Sequence, residues 1–376
     1  MEFSETAWKG FKNLRPRRQR WHPGFNVLLG PNGAGKTNLL ESLSVLSGWG
    51  AFPSLGKTSS LVTWNADGAF LAAAAAGERE FTAEARVGAR ISLRAGNERV
   101  THSELRALLP SLAFLPQDVG LLEGAASVRR RFLDRLCALV SPLYARRLAE
   151  YKQLVRQKTA LLRQSRAGVG AALRALTSPM AQLGGWIRWS RAEAAAFFFN
   201  FFGALKDEPS GLLPFEAELS LEFRDYHEER TMKTLTLEGS APSLPYLTGE
   251  FAAALEAGLG LELRAGMTLV GPHRDDLTFS CLGRPAALSL SRGQKRRMVM
   301  AAILAAGRVI EAKLRLKPIL LLDDVAAELD AEGQERTGRA LAASGWQVFS
   351  ASASDGKNPF GEAANAVWRV EEGTIS

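Results

Sequence analysis

The chain has 376 residues, which is enough for two or three domains. Lys and Arg outnumber Asp and Glu by 47 to 39, so the net charge of +8 favours a polyanionic partner and argues against an acidic one. The two cysteines, Cys137 and Cys281, form no C-x-x-C pair, which argues against a zinc site or a disulfide framework. The first residues show no secretion signal, and the apolar stretch 194–205 is too short to span a bilayer. These features favour a cytoplasmic protein in which 194–205 is a buried helix rather than an exposed contact surface.

A glycine-rich loop near the start matches the phosphate-binding pattern G-x-x-x-x-G-K-[ST]. GPNGAGKT (30–37) follows the apolar run 25–30, a predicted buried strand, and opens a predicted helix with leucines on one face. In such a loop backbone N–H groups bind phosphates, Lys36 reaches the outer phosphates and the Thr37 hydroxyl suits Mg²⁺. The predicted nucleotide-binding residues of the loop are Gly30, Asn32, Gly33, Ala34, Gly35, Lys36, Thr37 and Asn38.

The middle of the chain is predicted to be helical and basic. Residues 1–125 read as mixed α/β, with strand candidates at 61–76 and 90–96. The stretch 127–166 then carries eleven Lys and Arg residues against only two acidic ones, on a helical pattern that SP interrupts at 141–142. A second helical stretch at about 170–206 returns along it. This basic surface is either a track for a nucleic-acid backbone or a solvated helical face, and its charge excess favours the track.

The α/β pattern then resumes in the last third of the chain, with a strand candidate at 261–272, a helix from 292 to about 312 and a final strand at 346–354. The predicted fold class is therefore α/β, a P-loop lobe that is split in sequence by a helical insertion. The predicted domains are 1–125 for the first half of the lobe, 126–258 for the mainly helical basic insertion and 259–376 for the second half.

Two motifs in this second half complete a predicted nucleotide site. The apolar run 319–322 predicts a strand buried on both faces that ends in two carboxylates. Asp323 has the placement of an acid that holds Mg²⁺, and Asp324 that of a group that orients or deprotonates the attacking water. Ser291 is the predicted N-cap of the helix at 292–312, whose free N–H groups make a second anion-binding end. A single nucleotide site does not need two anion-binding helix N-termini. The N-terminus at Ser291 is therefore expected to serve the site of another subunit.

The order of these motifs resembles that in ABC-type ATPases related to SMC and Rad50. More narrowly, the chain is similar to the RecF family of DNA replication and repair proteins from about residue 8 to 354, and less closely so in the helical region. The resemblance is most specific in two blocks, GPHRDDL (271–277) and SRGQKRR (291–297). The blocks are GFKNL (10–14), GPNGAGKTNLLES (30–42), RRRFLD (129–134), GPHRDDL (271–277), SRGQKRR (291–297) and ILLLDDVAAELD (319–330).

This resemblance implies an ATP- and Mg²⁺-dependent clamp of two subunits that meet head to tail. Gln117, in FLPQDV (114–119), resembles the Q-loop residue that senses the metal and the attacking water. Asp330 resembles the residue that links the two sites. The implied catalytic residues are Lys36, Gln117, Asp323 and Asp324, and the implied metal-binding residues are Thr37, Gln117 and Asp323. Ser291, Arg292, Gly293 and Gln294 would contact the nucleotide of the partner.

The implied role is ATP-dependent binding of duplex DNA at gaps or single-strand junctions, with RecR as partner and with RecO and RecA in the same pathway. Three departures from the family pattern predict slow hydrolysis that acts as a switch. The last histidine is His273, so a serine at 350, 352 or 354 must take the role of a switch histidine. Asp324 stands where many relatives have Glu, and Gln117 stands where many RecF proteins have an acid. The resemblance implies a weak DNA-dependent ATPase, and whether the chain is an enzyme stays open.

Other functions remain open. A RecF-like ABC-type ATPase with a different DNA role, such as a nuclease-associated protein, is disfavoured because no acidic nuclease cluster is appended. A transporter ATPase subunit would have a switch histidine, a Leu-Ser-Gly-Gly-Gln signature and no basic lobe, and a metabolic kinase would lack the 291–297 motif. Within GPHRDDL, His273, Arg274 and Asp275 either tie the helical lobe to the nucleotide lobe or to DNA, or form a buried ion-pair network.

Overall fold

The protein is described here from a computed structural model that covers residues 1–50, 52, 58–77, 80–164, 169–213, 215–224, 233–235, 241–353 and 357–376. The chain divides into two compact units. The core unit comprises residues 1–119, 204–214 and 291–376, and the inserted unit comprises 120–203 and 215–290. The P-loop lobe is therefore split in sequence, as predicted.

The helices and strands are numbered in chain order. The strands are β1 Glu2–Lys9, β2 Arg17–Arg20, β3 Phe25–Leu29, β4 Ala69–Ala76, β5 Phe81–Val87, β6 Ile91–Ala95, β7 Glu98–Val100, β8 Ser111–Phe114, β9 Glu218–Phe223, β10 Lys233–Leu235, β11 Asp276–Cys281, β12 Arg284–Pro285, β13 Ile319–Asp323, β14 Val348–Ser352, β15 Ala366–Glu371 and β16 Thr374–Ile375. The α-helices are α1 Lys36–Leu46, α2 His102–Leu108, α3 Gly120–Glu123, α4 Ala126–Val140, α5 Tyr144–Leu162, α6 Val169–Ala204, α7 Leu244–Ala265, α8 Ala286–Ser289, α9 Arg292–Leu314 and α10 Ala331–Ala343.

The core unit contains a mostly parallel sheet, which positions the residues of the predicted nucleotide site. Its strand order is β16-β15-β3-β14-β13-β8, and only β16 runs antiparallel to its neighbour. All five residues of β3, β13 and β14 are buried, as expected for parallel strands covered on both faces. Leu29 is paired with Ser352, and Asp323 with Ala351, so β3, β14 and β13 end at one edge of the sheet.

A second sheet of the core unit is antiparallel, in the order β2-β1-β4-β5-β6-β7. Helix α1 contacts strands of both sheets, and its leucines join Phe3 and Trp8 of β1 and Phe349 of β14 in one core. The alanine run 72–76 lies within β4, where buried and more exposed residues alternate as in a sheet with one solvated face.

The inserted unit is built from helices and a smaller antiparallel sheet, β10-β9-β11-β12. The stretch 194–205 lies mainly in α6 and buries Phe198 and Phe202, which confirms the buried helix. Within the described residues, no helix is both long and apolar enough to cross a membrane.

The structure differs from the sequence predictions in one candidate strand, in the bounds of the insertion and in one sheet. The candidate strand 261–272 is helical up to Ala265, because Leu255, Gly258 and Glu262 follow a helical period and are all buried. The second half of the core unit begins at 291 rather than 259, because β11 pairs with β9 and keeps 215–290 in the inserted unit. The insertion also begins at 120 rather than 126, and its sheet was not foreseen.

Candidate nucleotide site

The phosphate-loop motif lines a cavity of about 300 Å³ at the edge where β3, β13 and β14 end. The loop itself leads from β3 into α1, as the motif requires. The sequence-predicted residues that line this cavity are Asn32, Gly33, Gly35, Lys36, Thr37, Asn38, Asp323 and Asp324. Thr37 and Asp323, which are 286 positions apart in the sequence, thus line one cavity.

Lys36 lies folded over the loop. Its Nζ donates hydrogen bonds to the carbonyl oxygens of Gly30, at 2.7 Å, and Pro31, at 2.8 Å. Burial lowers the pKa of Lys36, while the nearby carboxylates of Asp323 and Asp324 act in the opposite direction. An anion in the cavity would give this ammonium a counter-charge beyond those carboxylates.

Thr37 and Asp323 form a hydrogen bond between the phosphate loop and the end of β13. Thr37 Oγ1 donates to Asp323 Oδ2 at 2.8 Å. Burial raises the pKa of Asp323, while the Thr37 hydrogen bond and Lys36 oppose the rise. A hydroxyl and a single carboxylate fit Mg²⁺, which binds one or two carboxylates and completes its shell with phosphates and water. Among the described residues no group of three or more His, Cys, Asp or Glu could hold a metal, so phosphate oxygens would have to contribute.

Asp324 is held in an uncommon backbone conformation beside the cavity. Its φ is 51°, in the left-handed region, which costs about 1 kcal/mol for a residue with a Cβ. Its N–H donates to Ala351 O at 3.0 Å, and its carbonyl accepts from Arg296 Nη1 at 3.1 Å. Arg296 is itself buried and pairs with Glu328, whose φ is also positive. The SRGQKRR motif therefore supports the backbone of Asp324.

The remaining predicted residues lie outside the cavity lining. Gln117 is exposed in a short 3-10 helix, and its neighbour Pro116 lines the cavity instead. Ser291 and Gln294 cap α9 reciprocally, and Asp330 caps α10 through the N–H of Gly333. In this single chain Ser291, Arg292, Gly293 and Gln294 are absent from the described lining of the cavity. Gly30 and Ala34 are also absent from this lining, although Gly30 O accepts from Lys36.

The three serines considered for the switch position differ. Ser352 lines the cavity, whereas Ser350 is fully buried, and its Oγ has no hydrogen-bond partner among the described residues. Ser354 lies outside the described residues. Of the two described serines, Ser352 is therefore the one that lines the cavity.

Sequence reasoning missed Asn13, although it lies within the block GFKNL. Asn13 Nδ2 donates to Gly33 O at 3.2 Å, and Asn13 Oδ1 accepts from Asn38 Nδ2 at 2.8 Å. No short pattern marks an asparagine that approaches from a distant loop, so only the block resemblance could have pointed to it.

GPHRDD forms a buried ion-pair network within the inserted unit. Asp275 accepts from Arg188 at 2.8 Å and from Arg191 at 2.9 Å, and Arg191 also pairs with Asp134 at 2.8 Å. His273 contacts the Tyr151 hydroxyl at 3.0 Å, and burial lowers its pKa to about 4. Of the two readings left open by the sequence, the structure supports the network.

Asp323→Asn is expected to raise the thermal midpoint of the nucleotide-free protein at pH 7. Burial has raised the folded-state pKa of Asp323, so the folded state binds the proton more tightly and stability falls as the pH rises above the ordinary value of 3.8. Asparagine removes this charge but still accepts from Thr37. The gap to wild type should close as the pH is lowered toward 4 in calorimetric scans.

Asp330→Asn is the matched control, because Asp330 is exposed and asparagine is an equally good N-cap. A lower midpoint for Asp323→Asn than for Asp330→Asn at pH 7 would contradict the burial argument.

His273→Gln should make the protein less sensitive to acid. The folded-state pKa of His273 is lowered from 6.5 to about 4, so its contribution to stability is present above pH 6.5 and is lost as the pH falls toward 4. The loss is at most about 3 kcal/mol, at 1.36 kcal/mol per unit. Denaturant titrations at pH 7, 5.5 and 4.5 should show a smaller decline for His273→Gln than for wild type. The control is His22→Gln, which changes an exposed histidine. If stability falls equally with pH in His273→Gln and in His22→Gln, the acid sensitivity does not arise from His273.

Comparisons with known proteins place this geometry in a family. The family model described as RecF/RecN/SMC N terminal domain matches residues 3–376. The chain is 32% identical to the DNA replication and repair protein RecF of Moorella thermoacetica over 319 residues, which cover 83% of this chain and 79% of that protein. It is 30% identical to the RecF of Heliobacterium modesticaldum, over 93% of this chain and 91% of that protein.

Solved structures show the same fold. A structure of the recombination mediator protein RecF with ATPrS, in the RecFOR pathway, superposes with a TM-score of 0.84 at 22% identity and covers 100% of this chain and 97% of that one. The Smc head domain of Pyrococcus furiosus gives a TM-score of 0.54 at 16% identity, over 100% of this chain and 95% of that one. These likenesses confirm the ABC-type ATPase head fold predicted from the motifs. The chain belongs to the RecF family of DNA replication and repair proteins.

Proposed function

We propose that this RecF-family chain binds ATP with Mg²⁺ and uses the bound nucleotide to control binding to DNA. The observation that carries this proposal is the single cavity in which Lys36, Thr37 and Asp323 meet. An open cleft of about 1240 Å³, lined in part by Lys12, Asn13 and Thr63, borders the phosphate loop through Asn13 and offers room for the nucleoside.

Each residue of this cavity would have its own role in nucleotide binding or slow hydrolysis. Lys36 would exchange its two carbonyl partners for the outer phosphates, since an ammonium binds phosphate oxygens more strongly than peptide carbonyls. Thr37 and Asp323 would hold Mg²⁺, which supplies charge neutralisation of the phosphates. Asp324 would orient the attacking water, and Ser352 would contact the terminal phosphate. Gln117 would have to move toward the cavity to act as the implied sensor.

A head-to-tail homodimer would complete the site. The helix end at Ser291 carries a capping box, and the first-turn N–H groups of a helix attract anions. Because this end is absent from the described lining of the chain's own cavity, a second subunit is the natural source of the contact. Ser291, Arg292, Gly293 and Gln294 would then meet the partner's nucleotide, with Asp330 between the two sites.

DNA binding is proposed for the exposed part of the basic helices. Several basic side chains of the predicted track have partners within the protein and are therefore not available to DNA. Arg129 pairs with Asp276, and Lys158 pairs with Glu262. Arg147 stacks on Trp186. Arg166 lies outside the described residues. Lys152 and Arg156 of α5 and its C-cap residue Arg163 are exposed and fall on one side of the helix. They form the proposed track, which is named the α5 stripe below.

The wider role follows from the family. The proposed substrate is duplex DNA at gaps or single-strand junctions in the cytoplasm, where the chain would act with RecR, and with RecO and RecA, in recombinational repair and replication restart. The slow hydrolysis expected from Asp324, whose side chain is one methylene shorter than that of Glu, would let the DNA-bound state persist.

Lys36→Met and Ser291→Arg should both abolish ATP-dependent DNA binding. Lys36→Met removes the phosphate contact, and Ser291→Arg blocks the helix end that would meet the partner. Fluorescence anisotropy on gapped duplex DNA should show at least about tenfold weaker binding for each variant in ATP, the loss expected when a contact worth ~1.4 kcal/mol or more is removed. Sedimentation should show dimers for wild type in ATP but monomers in ADP and for both variants.

Ser92→Arg is the control for the added charge, because Ser92 is exposed on β6. It should remain dimeric in ATP. Equal DNA binding of wild type in ATP and ADP, with monomers throughout, would refute the switch.

Charge reversal of the α5 stripe, as K152E/R156E/R163E, should weaken DNA binding and flatten its salt dependence. Each lost phosphate contact lowers the slope of log affinity against log salt by about 0.9 for duplex DNA. ATP-dependent dimers should persist, and the glutamine triple variant should show an intermediate loss. An unchanged salt slope would place the DNA on another surface.

A further inference from the structure

The phosphate loop is held from behind by the hairpin formed by β15 and β16. The hairpin turns at Glu372 and Gly373, both with positive φ, of 47° and 77°. Two successive left-handed residues are typical of the tight type I′ hairpin turn. This turn also contacts the phosphate loop.

Gly373 joins the phosphate loop to the segment that contains Asn13. Its N–H donates to Ala34 O at 2.8 Å, and its carbonyl accepts from Arg15 N at 2.9 Å. A Cβ on Gly373 would lie only 1.9 Å from Asn13 O. One strand residue approaches as closely, since a Cβ on Gly30 would lie 2.1 Å from Val370 O. The hairpin and the loop thus touch through their backbones.

Asn13 holds the loop from a second side. It donates to Gly33 O and accepts from Asn38, so it bridges the loop and the first turn of α1. A Cβ on Gly35 would lie 2.9 Å from Asn13 Oδ1, which leaves little room between them. The carbonyls of two successive loop residues, Gly33 and Ala34, are therefore fixed by partners from outside the loop.

Fixing a carbonyl also fixes the neighbouring N–H. In a planar trans peptide the C=O and N–H groups point in opposite directions. Because Ala34 O points to Gly373, the N–H of Gly35 points away from the hairpin. Gly35 lines the cavity, whereas Ala34 is buried and is absent from its described lining. The hairpin contact therefore orients a donor on the cavity side of the loop.

We propose that Gly373 and Asn13 are positioning residues of the nucleotide site, which fix the phosphate-loop carbonyls so that the N–H of Gly35 is oriented for phosphate before nucleotide arrives. This inference rests on the proposed function, since it assumes that the cavity binds ATP. Pre-orientation removes the ordering cost that a loose loop would incur on binding.

The test compares Asn13→Ala and Gly373→Ala with Gly96→Ala. Gly96 also has a positive φ, of 58°, and lies in the turn between β6 and β7 of the core unit, but a Cβ there meets nothing within 4 Å. All three variants and wild type are measured for the thermal midpoint without nucleotide, amide hydrogen exchange over residues 31–38, and the dissociation constant for Mg-ATP. Asn13 is exposed, so Asn13→Ala tests the inference even if Gly373→Ala fails to fold.

The expected result is faster exchange over 31–38 and about tenfold weaker ATP binding for Asn13→Ala and Gly373→Ala, the effect of one impaired hydrogen bond to a charged group. For Asn13→Ala this loss should come with a thermal midpoint within a degree or two of that of Gly96→Ala. ATP hydrolysis should show a higher KM with little change in kcat, since the lost binding is uniform.

ATP affinity and loop exchange equal to those of Gly96→Ala would overturn the inference. Failure of wild type to bind ATP would instead overturn the proposed function, and the loop exchange without nucleotide would still report whether the hairpin and Asn13 hold the loop.

Discussion

The parallel hydrogen-bond ladder from β3 through β14 to β13 is the constraint on which the nucleotide site depends. It pairs Leu29 with Ser352 and Asp323 with Ala351, and so brings the end of the first strand and the two carboxylates to one sheet edge. The hydrogen bond from Thr37 to Asp323, which joins residues 286 positions apart, is possible only in this register. A shift of one residue would turn Asp323 to the other face of the sheet.

Buried charges serve two different purposes in this protein. In the inserted unit Asp275 accepts from two arginines, so its burial is compensated by short ion pairs. In the core unit Asp323 accepts one neutral hydroxyl, and burial raises its pKa. A buried carboxylate with so little compensation is costly unless a cation arrives. The contrast separates a structural network from the proposed nucleotide site.

The motifs predicted the core of the site, whereas their surroundings could not be read from local patterns. The phosphate loop, the buried strand before Asp323 and the α9 cap at Ser291 lie in the predicted elements, because each depends on a few adjacent residues. The helix that covers 261–265 was misassigned, because one of its buried positions is the charged Glu262, whose partner Lys158 is far away in sequence. Asn13 and Gly373 were missed for the same reason, since their contacts join segments far apart in sequence. The predicted basic track was reduced because the acidic partners of Arg129 and Lys158, Asp276 and Glu262, lie far outside the stretch 127–166.

The pairing of β3 also constrains when the site can form during synthesis. Both neighbours of β3 in the sheet, β14 and β15, are translated more than 300 residues after it. At 5–20 residues per second, the phosphate-loop segment leaves the ribosome on the order of half a minute before the strands that flank it. Until then β3 exposes an apolar strand with two unpaired edges, which is the kind of segment that chaperones bind. The proposed nucleotide site of this protein can therefore assemble only after β14 and β15 have been made.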